Sequence, residues 1–173
     1  MFNNQTTKIF YLFKNTFYYL FANMLIMKRK ENSDEIRAKQ YLQTLPHTKL
    51  EYEPLGNVTP DFLIDAKIAV EVRRLNRNYK SKSNGNLVSI EAPIIDDIDE
   101  LHKSIQLLID DKDKKINKNF PVYNEWWLIL VDYITNGMDT QAFEKVKKIP
   151  FKKHKFAKVI ILSHEGNFRT FKL

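Results

Sequence analysis

Residues 60–75 read Pro-Asp-Phe-Leu-Ile-Asp-Ala-Lys-Ile-Ala-Val-Glu-Val-Arg-Arg-Leu, and the fold turns on how this stretch pairs with itself. Its two apolar halves, Phe62 to Ile64 and Ile68 to Val72, carry the branched and aromatic side chains that suit a pleated, buried surface, and Asp65-Ala66-Lys67 separates them. The pattern predicts a tight β-hairpin. Alternation along its second strand sends Ile68, Val70 and Val72 to one face and Ala69, Glu71 and Arg73 to the other. With a three-residue loop Ile64 sits opposite Ile68, and Asp61 falls opposite Glu71 with roughly 5 Å between their Cβ atoms, near enough to share one hard cation. A two-residue loop would shift the register by one and send the two acids to opposite faces. A metal site at Asp61 and Glu71 therefore depends on the register.

Pro60-Asp61, an interval of nine residues, and Glu71-Val72-Arg73 together resemble the motif of the PD-(D/E)xK phosphodiesterase superfamily, the restriction-endonuclease-like nucleases. The resemblance implies an α/β (α+β) fold: a helix, three antiparallel strands, a helix and a further strand, forming a mixed central β-sheet flanked by helices. It also implies Mg²⁺ (or Mn²⁺) held by Asp61 and Glu71 and hydrolysis of phosphodiester bonds in nucleic acid, with DNA the first expectation and RNA left open. Where the family carries Lys, this chain carries Arg73. A buried Lys can lose its proton and a guanidinium cannot, so Arg73 is expected to position a phosphate or stabilise charge without serving as a base. The family's first core helix often contributes an acid; Glu35 is the first candidate here and Glu31 the second. The alternative for Glu35 is a side chain that only favours the helix dipole. Three rival readings stay open: a non-catalytic nucleic-acid-binding protein that keeps the fold, a membrane-associated factor in which residues 9–27 are the working part, and acids that are merely exposed polar positions on an edge hairpin.

The 173 residues are enough for one domain with its own core, and 43% hydrophobic residues argue for a globular chain. The absence of Cys excludes a disulfide framework and thiolate chemistry, and fits a cytoplasmic protein. A net charge of +7 and a pI near 9.4 favour an anionic partner such as nucleic acid, although abundant Asn, Ile and Lys would also follow from compositional drift. Only 4 Gly are present and none forms a phosphate-cradling loop.

Residues 1–27 are set apart from a nuclease-like domain at 28–173. Within residues 9–27 Phe10, Phe13, Phe17, Leu20, Phe21 and Met24 recur at helical spacing, and Lys14-Asn15-Thr16 interrupts the run. An appended segment, a membrane-associated helix and a helix docked on the domain all remain open. Ser33 is expected to cap a helix that ends before Pro46, and a first strand is expected at 49–53. His47, beside that Pro, reads as a surface residue.

Asn76 to Asn86 is polar and turn-rich and is expected to be a loop. Arg74, Arg77, Lys80 and Lys82 could meet phosphates there, with Tyr79 for base stacking. A helix is expected over 95–116, with Asp96, Asp97, Asp99 and Glu100 favouring its N-terminus. Trp126 to Tyr133 reads as a strand buried on both sides, followed by a helix at 140–148 and a parallel strand at 158–163, and 168–173 is expected to pair with the last. Asp132 is a secondary site candidate. Lys152, Lys153 and Lys155, interleaved with Phe151 and Phe156, read either as a phosphate-binding surface or as a solvated lysine run with its Phe residues in the core. A homodimer would suit cleavage of both strands of a duplex.

Overall fold

The computed structural model describes residues 29–56, 58–80, 87–90, 97–116, 121–134, 140–164, 166, 168 and 170–173, with the backbone alone at 77–80, 87–90, 140–142 and 171. The first helix, α1 (Ser33–Gln43), is capped one residue earlier than the sequence suggests. The Asn32 side chain accepts from the N–H groups of Asp34 and Glu35 at 2.9 and 3.0 Å, and the Glu35 carboxylate accepts from Asn32 N–H at 2.8 Å. Asn32 is extended while Ser33 is already helical, so only the former can close this reciprocal box. Glu35 is thereby fixed in position.

Three antiparallel strands follow: β1 (Leu50–Tyr52), β2 (Phe62–Ile64) and β3 (Ile68–Leu75). Ile64 faces Ile68, Leu63 faces Ala69 and Phe62 faces Val70, which is the three-residue-loop register. In the loop Lys67 N–H donates to the Ile64 carbonyl at 2.9 Å, and Asp65 and Ala66 take positive φ of 50° and 56°. The Asp65 carboxylate accepts from Thr48 N–H, Thr48 Oγ1 and Lys49 N–H at 2.7–2.9 Å, which ties the loop to the start of β1.

The stretch expected as a loop after Leu75 instead contains a two-stranded antiparallel ribbon, β4 (Arg77–Lys80) with β5 (Leu87–Ile90). Main-chain groups make the ladder, so a polar Arg-Asn-Tyr-Lys run is compatible with it once Leu-Val-Ser-Ile supplies a partner. Helix α2 (Ile98–Lys115) begins where the Asp97 side chain accepts from Asp99 N–H at 2.9 Å. Then come β6 (Glu125–Asp132), α3 (Thr140–Lys148), β7 (Lys158–Ser163) and β8 (Thr170–Lys172).

The six-stranded sheet runs β1-β2-β3-β6-β7-β8, with β3, β6 and β7 mutually parallel and the outer pairings antiparallel. Alternation along its central strands gives each face a core. Ala69, Leu75, Trp126, Leu128, Leu130, Val159 and Ile161 pack under α2 and α3 with Leu101, Ile105, Leu108, Phe143 and Val146. On the other face Val70, Val72, Trp127, Ile129, Val131, Ile160 and Leu162 pack against Ala38, Tyr41 and Leu42 of α1. The chain is thus a mixed α/β protein with its sheet between helices. The helix, three antiparallel strands, helix and parallel strand occur in the expected order, with the ribbon inserted after β3.

Candidate metal-dependent site

Glu71 lies on the α2 face of β3, one register step beyond the last paired residues of the hairpin. It is 3% exposed, and its Oε1 is ion-paired with the Nζ of Lys112, itself 6% exposed and reaching down from the last turns of α2. Glu71 Oε2 is buried without a hydrogen-bond partner among the described residues. A carboxylate oxygen in that state is costly, since burial removes its water and nothing replaces it.

Asp61 precedes β2 and reaches across to β3, where its Oδ2 accepts from Val72 N–H at 2.8 Å. Burial first, and then repulsion from Glu71, raise its pKa from the usual carboxylate range to about 7, against the lowering effect of the Val72 hydrogen bond. The register thus brings Asp61 and Glu71 into electrostatic contact, as the hairpin reading requires.

Two further acids close the rim. Glu35, 2% exposed, also accepts from the Tyr52 hydroxyl at 3.1 Å, and Glu53, 1% exposed, follows β1 in a left-handed conformation with φ of 43°. Arg29 joins them. Its guanidinium pairs with Glu35 Oε1, with Glu53 Oε1 at 2.8 Å and with Asp61 Oδ1 at 3.5 Å, while its backbone N–H donates to Glu53 Oε2 at 3.0 Å. Glu35 is therefore both part of a helix cap and a neighbour of Asp61. Glu31, the second choice for that acid, pairs instead with Lys39 at 2.6 Å.

No family model, curated protein or solved structure matches the chain.

A cleft of about 250 Å³ opens between the start of α1 and the end of β3, lined by Asn32, Asp34, Glu35, Arg73, Arg74 and Leu108; Glu35 borders it, and Asp61 and Glu71 do not line it. Arg73 is exposed in it and makes no ion pair among the described residues. Arg74 points to the other face. Its guanidinium is held by Asp34, with contacts of 3.1 and 3.2 Å, and lies 4.4 Å from the centre of the Tyr133 ring, so a phosphate would have to compete for it. Nothing is described of the Arg77 and Lys80 side chains, and Lys82 lies outside the described residues.

In the basic segment before β7, Lys152, Lys153 and Lys155 are all exposed; Lys152 Nζ lies 4.0 Å from Asp110 Oδ2, and Lys155 Nζ donates to the Asp113 and Ile116 carbonyls at 2.8 Å each. Phe156 is buried in the core and Phe151 packs against it, so these rings do not form a stacking platform. Asp132 sits opposite Leu75, four residues beyond Glu71 along β3, and its Oδ1 caps Ile134 N–H at 2.9 Å, apart from the paired acids. The His47 ring is bonded to the Leu45 carbonyl at 2.7 Å.

The sequence reading missed Lys112, Glu53 and Arg29. For Lys112 a signal exists: Leu101, Ile105, Leu108 and Lys112 continue one helical stripe, so a lysine occupies a core position. Glu53 and Arg29 meet only through the tertiary fold. Among the described residues no group of three or more His, Cys, Asp or Glu forms a ready-made metal cage. A pair of acids is still adequate for Mg²⁺, which retains several waters and takes one or two carboxylates alongside substrate phosphates. The unpartnered Glu71 oxygen is the observation that fits such an ion. Among the described residues no helix is long and apolar enough to cross a membrane, and residues 9–27 lie outside them.

Proposed function

We propose that this chain is a metal-dependent nucleic-acid phosphodiesterase with a restriction-endonuclease-like core, acting on DNA in the cytoplasm with Mg²⁺ or Mn²⁺. The observation that carries the proposal is the pair Asp61, half-buried, and Glu71, buried, with one Glu71 oxygen unpartnered among the described residues and the Asp61 carboxyl driven up to about 7 by burial and by its neighbour. Two acids brought together in this way are relieved by a cation or a shared proton. The order of helix, hairpin and parallel strand supports the same reading.

Asp61 and Glu71 would hold the ion. When bound it supplies Lewis acidity toward a phosphate oxygen and lowers the pKa of a water. Lys112 places beside Glu71 the amine that position 73 lacks, and burial pulls its pKa down against the raising effect of Glu71. Arg73, exposed in the cleft, would bind phosphate and offset charge accumulating there, and Glu35, which holds the Arg29 guanidinium, would stand at the rim beside Asp61. The exposed Lys152 and Lys153 would contact backbone phosphates.

One observation favours a second reading, a non-catalytic nucleic-acid-binding protein: each acid already meets an internal cation, Lys112 at Glu71 and Arg29 at Asp61. Purified protein offered linear, circular and branched DNA and RNA, with Mg²⁺, Mn²⁺ or EDTA, decides between them. Metal-dependent cutting that falls by about 100-fold or more in Glu71→Gln is expected, with DNA binding retained. Binding without cutting under every metal, unchanged by Glu71→Gln, would establish the second reading instead.

A further inference from the structure

Resting on the metal-site reading of Asp61 and Glu71, we propose that Arg29 is an internal competitor for the cation, whose guanidinium holds the site closed and sets the metal concentration at which it fills. Asp61 has one oxygen committed, since Oδ2 accepts the Val72 N–H. The other, Oδ1, is the oxygen left for an ion, and Arg29 Nη2 stands 3.5 Å from it. The guanidinium therefore offers its positive charge at the place where an incoming cation would bring its own.

The contacts of Arg29 are graded. Glu53 holds it twice, through Nε at 2.8 Å and the backbone N–H at 3.0 Å, and Glu35 holds Nη2, whereas the approach to Asp61 is the longest. Glu35 and Glu53 are almost wholly buried, so together they fix the guanidinium at the rim while leaving its Asp61 contact the easiest to break. An ion that enters must outcompete a fixed neighbouring charge and turn the guanidinium aside. Arg29 side-chain exposure of 38%, against 15% for Asp61, shows that the guanidinium is accessible from solvent and can swing away from the rim.

The test is Mn²⁺ binding by titration calorimetry and by loss of the free-ion paramagnetic signal, in the full chain, for wild type, Arg29→Gln, Arg29→Gln with Glu53→Gln, and Asp61→Asn. The double variant removes an acid that the single one strands, so it guards against misfolding. Removing the guanidinium is expected to tighten Mn²⁺ binding about tenfold in either Arg29 variant, the effect of one nearby unit charge on a carboxylate. Asp61→Asn is expected to abolish it. Equal affinities in wild type and both Arg29 variants, with binding still lost in Asp61→Asn, would overturn the competitor role and leave the metal site standing. If no variant and not the wild type binds Mn²⁺, the metal site fails and this inference with it. Failure of both Arg29 variants to fold would make Arg29 a structural strut and overturn the inference as well.

Discussion

At the scale of single residues the site sets four acids, Glu35, Glu53, Asp61 and Glu71, against two paired cations, Arg29 and Lys112. The raised pKa of Asp61 means that its proton favours the folded chain. That contribution is complete below about pH 4, where the unfolded carboxyl is also protonated, and it is lost as pH rises through about 7. In metal-free protein, the stability of wild type relative to Asp61→Asn is therefore expected to decline between those limits, because the amide has no proton to lose. Urea unfolding of both proteins at several pH values checks it, and a pH-independent difference would refute it. Saturating Mn²⁺ should reverse the slope. These groups were unequally legible in the sequence. Asp61 and Glu71 stood out because one adjoins and the other lies within the two apolar runs of the hairpin, and a three-residue loop sets them opposite one another. Lys112 was concealed in the run Asp-Asp-Lys-Asp-Lys-Lys, where composition suggests a solvated helix end although spacing puts it on the buried stripe. Arg29 depends on contacts across 24 and 32 residues of chain, which no local pattern encodes.

At the scale of elements the hairpin loop controls the site, because its length sets which residues face one another. Ala66 has φ of 56° there and is exposed, a conformation that costs an L-residue with a Cβ about 1 kcal/mol and glycine almost nothing. Ala66→Gly is expected to stabilise the domain by about that amount while leaving metal affinity unchanged, as read by urea denaturation and calorimetry. A loss of stability would show that the loop conformation is held in another way. The register was readable because a one-residue slip would have turned Ile68, Val70 and Val72 out of the α1-side core. The ribbon of β4 and β5 was not, since its first strand carries no alternation of apolar and polar residues and is defined by main-chain pairing. The boundaries of α1 and α2 moved because their caps are Asn32 and Asp97, polar residues whose side-chain hydrogen bonds decide where helical geometry begins.

Across the whole molecule a net charge of +7 is set against an acidic centre. Under the proposed function that arrangement would suit a polyanion gripped at the periphery with its phosphate brought to a cation inside. DNA binding should weaken steeply with salt, and Lys152→Ala with Lys153→Ala should lower the slope of log K against log salt by about two, one for each phosphate that no longer meets a lysine. An unchanged slope would take the segment before β7 out of the interface. The general architecture was legible because the apolar runs of β6 and β7 can only be buried on both sides, which requires helices above and below.

The outermost strands, β1 and β8, have three residues each. So short a border offers little template for another chain to add itself by backbone pairing, which guards the fold against fibrous stacking. Under the proposed function, a second copy recruited to cut the opposite strand of a duplex would then have to dock through helices, the β4–β5 ribbon or the rim of the cleft, and the two cutting centres would be spaced by that interface instead of by a continuation of the six-stranded sheet.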